Sequence, residues 1–485
     1  MAAAPGGARR LFHTFLSLVG AELITRGLVL VVGVILARAL TPSEFGEFSY
    51  AFGVAQVAGL LIDLGLAALV IRDVSAEPQR APELLGAFLH AQGLLAIGTF
   101  ALVAALTAAG VVGGPAPDSS ILIATGAVCV GGAARPFEAV LTGRGQAHLV
   151  TVSRTVRGLV LTGATIAVAV SNPSVNVFMA AWLVGEVAGA VTVAVISTMK
   201  SVRPLASERR RHVRRLLRMA LPFAVVSAAS VLYLRVDILM LGHLGSDAVV
   251  GNYGVAMRVI DAAVIVPAFF GNAFLATISA TGPRTERGRM QTTQALPWIV
   301  LLTAPITVTL IAAAHPIIQL ITGGGYYQAP GILTRLAPFV LITATYGVLT
   351  ALQLALDNLT LLTRLFAVGL IVKVLVNLWA IPAYGPDGAA ITAVGAELLV
   401  ALLQWRWSRQ WFNAREAGTA IARIIAAAAV ATVAMALLVD AIWWPAAVVL
   451  GLVVYAVAAL VTGAFSLTKA REVIGAVRRG GAQPA

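Results

Sequence analysis

Long apolar runs separated by short polar connections fill the chain from end to end. A helix needs about 20 consecutive apolar residues to cross a bilayer. Fourteen runs approach or exceed that length, at roughly residues 14–38, 48–71, 84–109, 120–141, 151–170, 176–198, 219–242, 250–280, 295–320, 333–356, 365–383, 389–405, 418–439 and 447–466. The pattern predicts an all-α polytopic membrane protein with 14 transmembrane helices.

The composition agrees with this prediction. Of the 485 residues, 59% are hydrophobic and 11% are charged, whereas about a quarter of the residues in a soluble domain are charged. The first apolar stretch is too long for a cleaved secretory signal and carries Glu22 and Arg26. The single cysteine, Cys129, excludes a disulfide within the chain and a metal site built from cysteines. We predict no cofactor.

The basic residues follow the connections between spans. If the amino terminus is cytoplasmic, the external connections contain no Lys or Arg: 39–47, 110–119, 171–175, 243–249, 321–331, 384–388 and 440–446. The internal connections and the two tails contain 24 of the 34 basic residues. This is the positive-inside distribution, and it predicts a cell-membrane protein (inner or plasma membrane) with both termini in the cytoplasm. The net charge of +13 therefore reflects topology and contact with anionic lipids, not nucleic-acid binding.

Two pairs of similar segments indicate an internal repeat. "LTPSEFGEFSYAF" links spans one and two, and "LGSDAVVGNYGVAM" links spans seven and eight. Each has a leucine, an acidic turn, a glycine and an aromatic residue: Leu40, Gly46 and Phe48 in the first, and Leu244, Gly251 and Tyr253 in the second. "MAAWLVGEVAG" and "GAAITAVGAELL" repeat at a similar offset. Both halves begin inside, so the repeat is parallel, about an axis along the membrane normal.

The repeat predicts the domain organisation. Two six-helix lobes, residues 1–198 and 219–407, are related by pseudo-two-fold symmetry around a central cavity. The basic stretch 199–218 joins them in the cytoplasm. Residues 408–485 add two C-terminal helices and a basic tail. This organisation favours a transporter that works by alternating access.

Three segments resemble the polysaccharide flippases, also called O-antigen or lipid-linked oligosaccharide flippases. They are "ILARALTPSEFGEFSYAFGVAQVAGLLIDLGLAALVIRD", "VDILMLGHLGSDAVVGNYGVAMRVIDAAVIVP" and "IPAYGPDGAAITAVGAELL", in the order expected for that family. The family belongs to the multidrug/oligosaccharidyl-lipid/polysaccharide exporter superfamily. The resemblance implies a two-lobed fold with a central cavity, and movement of an undecaprenyl-pyrophosphate-linked glycan from the inner to the outer leaflet. We predict a non-enzymatic transporter, a monomer in contact with membrane lipids.

Charged residues inside the spans are the candidate functional residues, because a charge at membrane depth is costly and usually faces a cavity or a partner. Three basic residues have an acidic residue one turn away: Arg26 has Glu22, Arg135 has Glu138, and Arg258 has Asp261. Each set is either an ion pair that orients helix packing or part of a site for the headgroup, since arginine binds phosphate oxygens bidentately. We predict that Arg258, Arg26 and Lys373 bind substrate, with Arg258 as the leading candidate.

The segment "SVLYLRVDILML" contains Arg235 and Asp237 in its apolar middle. Residues two apart point about 200° apart around a helix, so they face different neighbours. We predict that Arg235 faces the cavity and binds substrate, whereas Asp237 contacts an adjacent hairpin and fixes a helix.

Other charged residues leave alternatives open. Asp63, Glu186 and Glu397 have no basic residue one turn away. Each either exchanges a coupling proton or sodium ion, or accepts a hydrogen bond from a neighbouring helix. Arg154 and Arg157 lie near the predicted inner surface, and we expect them to extend toward it.

Two rival functions are distinguishable by sequence. A lipid II flippase or a multidrug or cation antiporter of the same superfamily would share the fold, but an antiporter favours carboxylates over the cations found here. A polytopic glycosyltransferase or polymerase needs a catalytic group on a substantial outer loop, whereas the predicted outer connections are only about five to eleven residues long. "TGGGYYQ" lacks the Lys and Ser/Thr of a phosphate-binding loop.

The charge distribution yields a test of topology. In a variant whose native Cys129 is replaced by serine, cysteines placed at Ser171 and Asp247 should react with an impermeant thiol reagent in intact cells. A cysteine at Ser207 should not react, because the basic connection stays in the cytoplasm. Labelling at position 207 alone would reverse the predicted orientation.

Overall fold

The structure, a computed structural model, describes residues 27–171, 173–200, 204, 229 and 231–464. Within these residues every regular element is helical, which confirms the predicted all-α class. The α-helices in chain order are α1 (Gly27–Ala39), α2 (Pro42–Asp63), α3 (Leu66–Ala76), α4 (Ala81–Ala108), α5 (Asp118–Gly143), α6 (Ala147–Ser171), α7 (Val175–Met199), α8 (231–244), α9 (Asp247–Ala263), α10 (Ile265–Thr281), α11 (Glu286–Ala312), α12 (Ala314–Thr322), α13 (Ala329–Leu336), α14 (Pro338–Ala355), α15 (Leu359–Ser408), α16 (Ala414–Val439) and α17 (Trp444–Val461).

The described residues contain 11 helical segments that are long and apolar enough to cross a membrane. The protein is therefore a multi-pass membrane protein, as predicted. One of the 11, Leu359–Trp411, contains the predicted spans eleven and twelve. Parts of the predicted spans one, seven and fourteen lie outside the described residues, so the total of 14 stays a prediction, as do the pseudo-symmetry and the lobes.

Two backbone breaks determine where helices end. Within α15, Gly385 has φ 59° and ψ −137°, which is not helical, and Pro386 follows it. Glycine adopts this conformation without the steric penalty of a side chain, so α15 is two helices joined at the predicted connection 384–388. The predicted span 48–71 is also interrupted, because Leu64 and Gly65 are left-handed, with φ 43° and 73°. This break makes Asp63 the last residue of α2.

The chain forms two compact units. The first comprises Met1–Arg258, Ile321–Tyr327 and Val374–Ala389; the second comprises Val259–Leu320, Gln328–Lys373 and Ala390–Ala485. In the first unit, α5 packs against α2, α3, α4 and α7, and α6 packs against α7. In the second, α11 packs against α10, α14 and α16, and α17 packs against α16.

Hydrogen bonds hold the turn between α1 and α2. The Thr41 side chain accepts a bond from the Glu44 backbone N–H, and the Glu44 carboxylate accepts one from the Thr41 N–H at 2.8 Å. This is a capping box, which satisfies donors at the start of a helix. The Tyr326 hydroxyl donates to the Leu40 carbonyl oxygen at 2.9 Å. Burial, and to a lesser extent the nearby Glu44 carboxylate, raise the pKa of Tyr326, so its hydroxyl stays protonated as a donor.

The two glycines of the sequence repeat meet at a close helix crossing in the first unit. A Cβ added at Gly46 of α2 would overlap the Asp247 carbonyl oxygen, and a Cβ added at Gly251 of α9 would overlap the Pro42 carbonyl oxygen. These contacts are to backbone atoms, which cannot rotate away as a side chain can. The approach of α2 to α9 therefore depends on glycine at both positions, as at the small-residue contacts of other membrane helices.

Gly46→Ala should lower the melting temperature of the purified protein in detergent, because overpacking of this kind costs about 1–3 kcal/mol. Gly93→Ala is the matched control: Gly93 lies in α4 with nothing within 4 Å of an added Cβ, and alanine is the better helix former. The control should melt at or above the wild-type temperature. If both variants melt at the wild-type temperature, the helices do not require this close approach.

Candidate functional site

A cavity of about 710 Å³ lies within the first unit. Its walls come from α2, α3, α5, α6 and α7, together with Val231 of α8. Small residues leave room for it: Gly59, Ala67, Gly131, Gly132, Ala134, Ala139, Gly189 and Ala190. Ligand pockets typically measure about 300–1,000 Å³, so the cavity can hold a small organic group.

Three arginine–carboxylate ion pairs line this cavity. They are Arg135–Asp63 (Nη1 to Oδ2, 2.6 Å), Arg154–Glu138 (Nη2 to Oε2, 2.8 Å) and Arg157–Glu186 (Nη1 to Oε2, 3.3 Å). Each pair joins two different helices: α5 with α2, α6 with α5, and α6 with α7. The ion pairs therefore tie together the helices that enclose the cavity.

These pairs correct the local pairing that the sequence suggested for Arg135 and Glu138. Although the two residues lie one turn apart on α5, Arg135 binds Asp63 at the end of α2, and Glu138 accepts a hydrogen bond from Arg154 of α6. Side chains three residues apart lie on the same face of a helix. Both therefore point toward the neighbouring helices, where charged side chains can contact them. Asp63 likewise has a basic partner that its sequence neighbours did not reveal.

Arg154 and Arg157 also differ from expectation, because both line the cavity and have carboxylate partners there. They are three residues apart on α6 and so share one face. That spacing was visible in the sequence. The carboxylates of α5 and α7 were not predictable as partners, since nothing local specifies which faces of neighbouring helices meet.

Glu186 is the most enclosed carboxylate of the three. Its Oε1 accepts a hydrogen bond from the Trp182 indole N–H at 3.0 Å, and Arg157 Nη1 lies 3.4 and 3.3 Å from its two oxygens. Gly131 of α5 faces it, and a Cβ added there would lie 2.6 Å from Glu186 Oε2. Glycine at 131 is therefore what admits the carboxylate to this wall.

In every pair the arginine is more exposed than its partner. The exposed side-chain fractions are 40% for Arg135 and 33% for Asp63, 45% for Arg154 and 19% for Glu138, and 39% for Arg157 and 11% for Glu186. Among the described residues that line the cavity, the three arginines and three carboxylates balance in charge, and the arginine side chains are the more exposed members of the pairs.

Arg258 lies at the end of an aromatic series in the first unit. Its guanidinium carbon is 4.5 Å from the centroid of the Phe52 ring and 5.7 Å from that of Phe48. The Phe52 ring is in turn 4.9 Å from the ring of Trp182, which lines the cavity. The faces of aromatic rings attract cations, so these rings hold Arg258. Asp261 belongs to the second unit, and its pairing with Arg258 stays a prediction.

Arg235 and Asp237 face different neighbours, as their spacing predicted. Arg235 Nε donates to the Gln56 side-chain oxygen at 3.2 Å, and Gln56 lines the cavity. Asp237 is buried and accepts hydrogen bonds from the Tyr253 hydroxyl at 3.2 Å and from the Asn377 side-chain nitrogen at 2.8 Å. Asp237 therefore connects α8 to α9 and to the first half of α15.

The remaining predicted residues lie elsewhere. Lys373 and Glu397 are both buried and belong to the second unit; Glu397 accepts a hydrogen bond from the Thr343 hydroxyl at 2.7 Å. Their predicted roles in substrate binding and ion coupling stay predictions. Glu22 and Arg26 lie outside the described residues.

Solved structures of membrane transporters have a similar fold. One is described as "Lipid II flippase MurJ, inward closed conformation": its TM-score is 0.74 at 14% identity, over 92% of this chain and 98% of that chain. A second is a multidrug resistance MATE family transporter of the MOP superfamily, with TM-score 0.65, 15% identity, and 81% and 94% covered. A third, a mutant of the Vibrio cholerae MATE transporter VcmN, has TM-score 0.55 at 15% identity, over 84% and 98%. At these identities the likeness concerns the fold alone.

A family model described as "Polysaccharide biosynthesis protein" matches residues 11–281, which is more than half of the chain. No curated protein sequence matches the chain. The family match and the fold likeness together confirm the relationship that the three sequence segments indicated. The chain belongs to the polysaccharide biosynthesis protein family.

Proposed function

We propose that this protein is a flippase that moves an undecaprenyl-pyrophosphate-linked oligosaccharide from the cytoplasmic to the outer leaflet of the cell's inner or plasma membrane. Two lobes alternate access to the headgroup, and a proton gradient, a sodium gradient or the membrane potential drives the cycle. The protein acts as a monomer with both termini in the cytoplasm. It catalyses no chemical step and needs no cofactor; its product serves the assembly of surface polysaccharide.

The observation that carries this proposal is the placement of Arg258. It lies within the membrane-crossing segment Asp247–Thr281, with its guanidinium 4.5 Å from the Phe52 ring centroid. A cation at this depth is costly and is usually functional. A headgroup with pyrophosphate needs cations along its route, and a guanidinium binds phosphate oxygens with two parallel hydrogen bonds. We assign Arg26, Lys373 and Arg235 the same role, with Arg258 at the centre.

Two related cargoes each have an observation in their favour. Lipid II is suggested by the TM-score of 0.74 to a structure described as a lipid II flippase. A drug or a cation is suggested by the carboxylates of the cavity, Asp63, Glu138 and Glu186, which such a cargo could use. Flipping measured with lipid-linked oligosaccharide, lipid II and a cationic dye in the same vesicles separates the three.

Arg258→Ala should abolish flipping of lipid-linked oligosaccharide in vesicles, while the protein remains inserted and abundant. Loss of one charge-assisted contact costs about 1.5–3 kcal/mol, or roughly a tenfold to hundredfold loss of affinity. Arg258→Lys should keep part of the activity, because the charge survives and the bidentate fork does not.

The double variant Arg258→Ala with Asp261→Ala separates substrate binding from charge balance. If Arg258 only balances Asp261, removing both charges should restore flipping, and the assignment of Arg258 to the headgroup would be wrong. If Arg258 binds the headgroup, the double variant should stay inactive at normal abundance. Turnover of a sugar donor by the pure protein would instead place it among the enzymes.

A further inference from the structure

The cavity of the first unit has donors available for a ligand. A guanidinium carries five N–H donors in a planar fork. The ion pairs of Arg135 and Arg157 are made through Nη1. Both residues line the cavity, and their side chains are about 40% exposed, so both side chains are accessible to a group that enters it. Phosphate oxygens match this geometry, because they accept two parallel hydrogen bonds from one guanidinium.

Asp63 and Glu186 are incompletely satisfied by their arginines, whereas Glu138 is held by Arg154 at 2.8 Å. Oδ1 of Asp63 is buried without a hydrogen-bond partner, so this carboxylate is only partly satisfied by Arg135. Arg157 approaches the two oxygens of Glu186 at 3.3 and 3.4 Å, longer than the 2.7–2.9 Å usual for a charge-assisted bond. Trp182 continues to satisfy Glu186 if Arg157 moves away.

The Arg154–Glu138 pair lies near one end of the helices that enclose the cavity. Glu138 lies in the last turns of α5 and Arg154 in the first turns of α6, and by the positive-inside distribution these ends face the cytoplasm. Glu186 lies near the middle of α7, and Asp63 lies at the break within the predicted span 48–71. The proposed function loads its substrate from the cytoplasmic leaflet, so the end of the cavity that contains Arg154 and Glu138 is on the loading side.

We propose that this cavity is a diphosphate-binding subsite, in which phosphate oxygens of the lipid-linked headgroup replace the carboxylates as partners of Arg135, Arg154 and Arg157. The carboxylates are competitors: among the described lining residues they balance the charge of the three arginines, and they are displaced on loading. The inference rests on the proposed function for its cargo. The subsite is separate from Arg258, which does not line this cavity.

Substitutions on the two sides of one pair should act in opposite directions. Arg154→Gln should weaken binding of inorganic pyrophosphate to the purified full-length protein by about tenfold to hundredfold, because one charge-assisted contact is lost. Glu138→Gln should tighten binding by roughly tenfold, because the competing anion is removed from the same guanidinium. Calorimetric titration in detergent measures both dissociation constants.

The opposite signs exclude a purely structural role. If the pair only holds α5 to α6, both variants should weaken binding or neither should change it, and either result overturns the proposal. Arg80→Gln and Glu77→Gln are matched controls, because Arg80 and Glu77 form an ion pair at 3.3 Å that does not line the cavity. Both controls should leave the dissociation constant unchanged. Even if Arg154→Gln fails to fold, tighter binding by Glu138→Gln still supports the proposal.

Two further measurements identify the ligand and separate this proposal from the proposed function. Glucuronate, a sugar carboxylate, should bind much more weakly than pyrophosphate; the reverse order would contradict the assignment to diphosphate. If the wild type flips lipid-linked oligosaccharide in vesicles but does not bind pyrophosphate, the subsite is wrong and the function stands. If it binds pyrophosphate with the expected variant pattern but flips no lipid-linked glycan, the subsite stands and the function is wrong.

Discussion

The cost of a charge inside an apolar helix governs the arrangement of the first unit. An isolated charge at membrane depth is unfavourable by several kcal/mol, so each such side chain needs a partner nearby. Asp63, Glu138 and Glu186 supply partners from helices that their arginines do not share. Each ion pair therefore also constrains how two helices face each other. Removing one member would leave the other uncompensated, and this is more disruptive than removing both.

Small residues allow these charges to meet. Gly131 admits the Glu186 carboxylate, and the Gly46–Gly251 crossing brings the backbones of α2 and α9 together. In lipid there is little hydrophobic force between helices, so close backbone approach and interhelical polar contacts supply much of the association. The cavity exists because small residues such as Gly131 leave its walls without bulk, while three arginine–carboxylate pairs line it.

The paired arginines and carboxylates that line the cavity favour a phosphate-bearing ligand over an apolar one. An apolar molecule would have to cover charged groups without replacing their hydrogen bonds, which is unfavourable. A phosphate-bearing group offers each guanidinium a charge-assisted bond in place of the one that it gives up; the displaced carboxylate then needs another donor, as Trp182 supplies for Glu186. The Phe52 and Trp182 rings connect a fourth cation, Arg258, to the Arg157–Glu186 pair. These features are consistent with a headgroup that carries both phosphate and sugar.

The sequence by itself determined the features that depend on local pattern. Apolar runs of span length fixed the helical class, the distribution of Lys and Arg predicted the orientation, and the Gly385 turn could be read from "AYGPDG". The opposite facing of Arg235 and Asp237 followed from helical geometry alone. Tertiary structure decided the partners: Arg135 with Asp63, Glu138 with Arg154, and Glu186 with Arg157. These contacts depend on which helices are neighbours and on which face each helix turns toward the other. Both depend on packing between segments that are far apart in sequence, so the spacing of residues along one helix does not predict them.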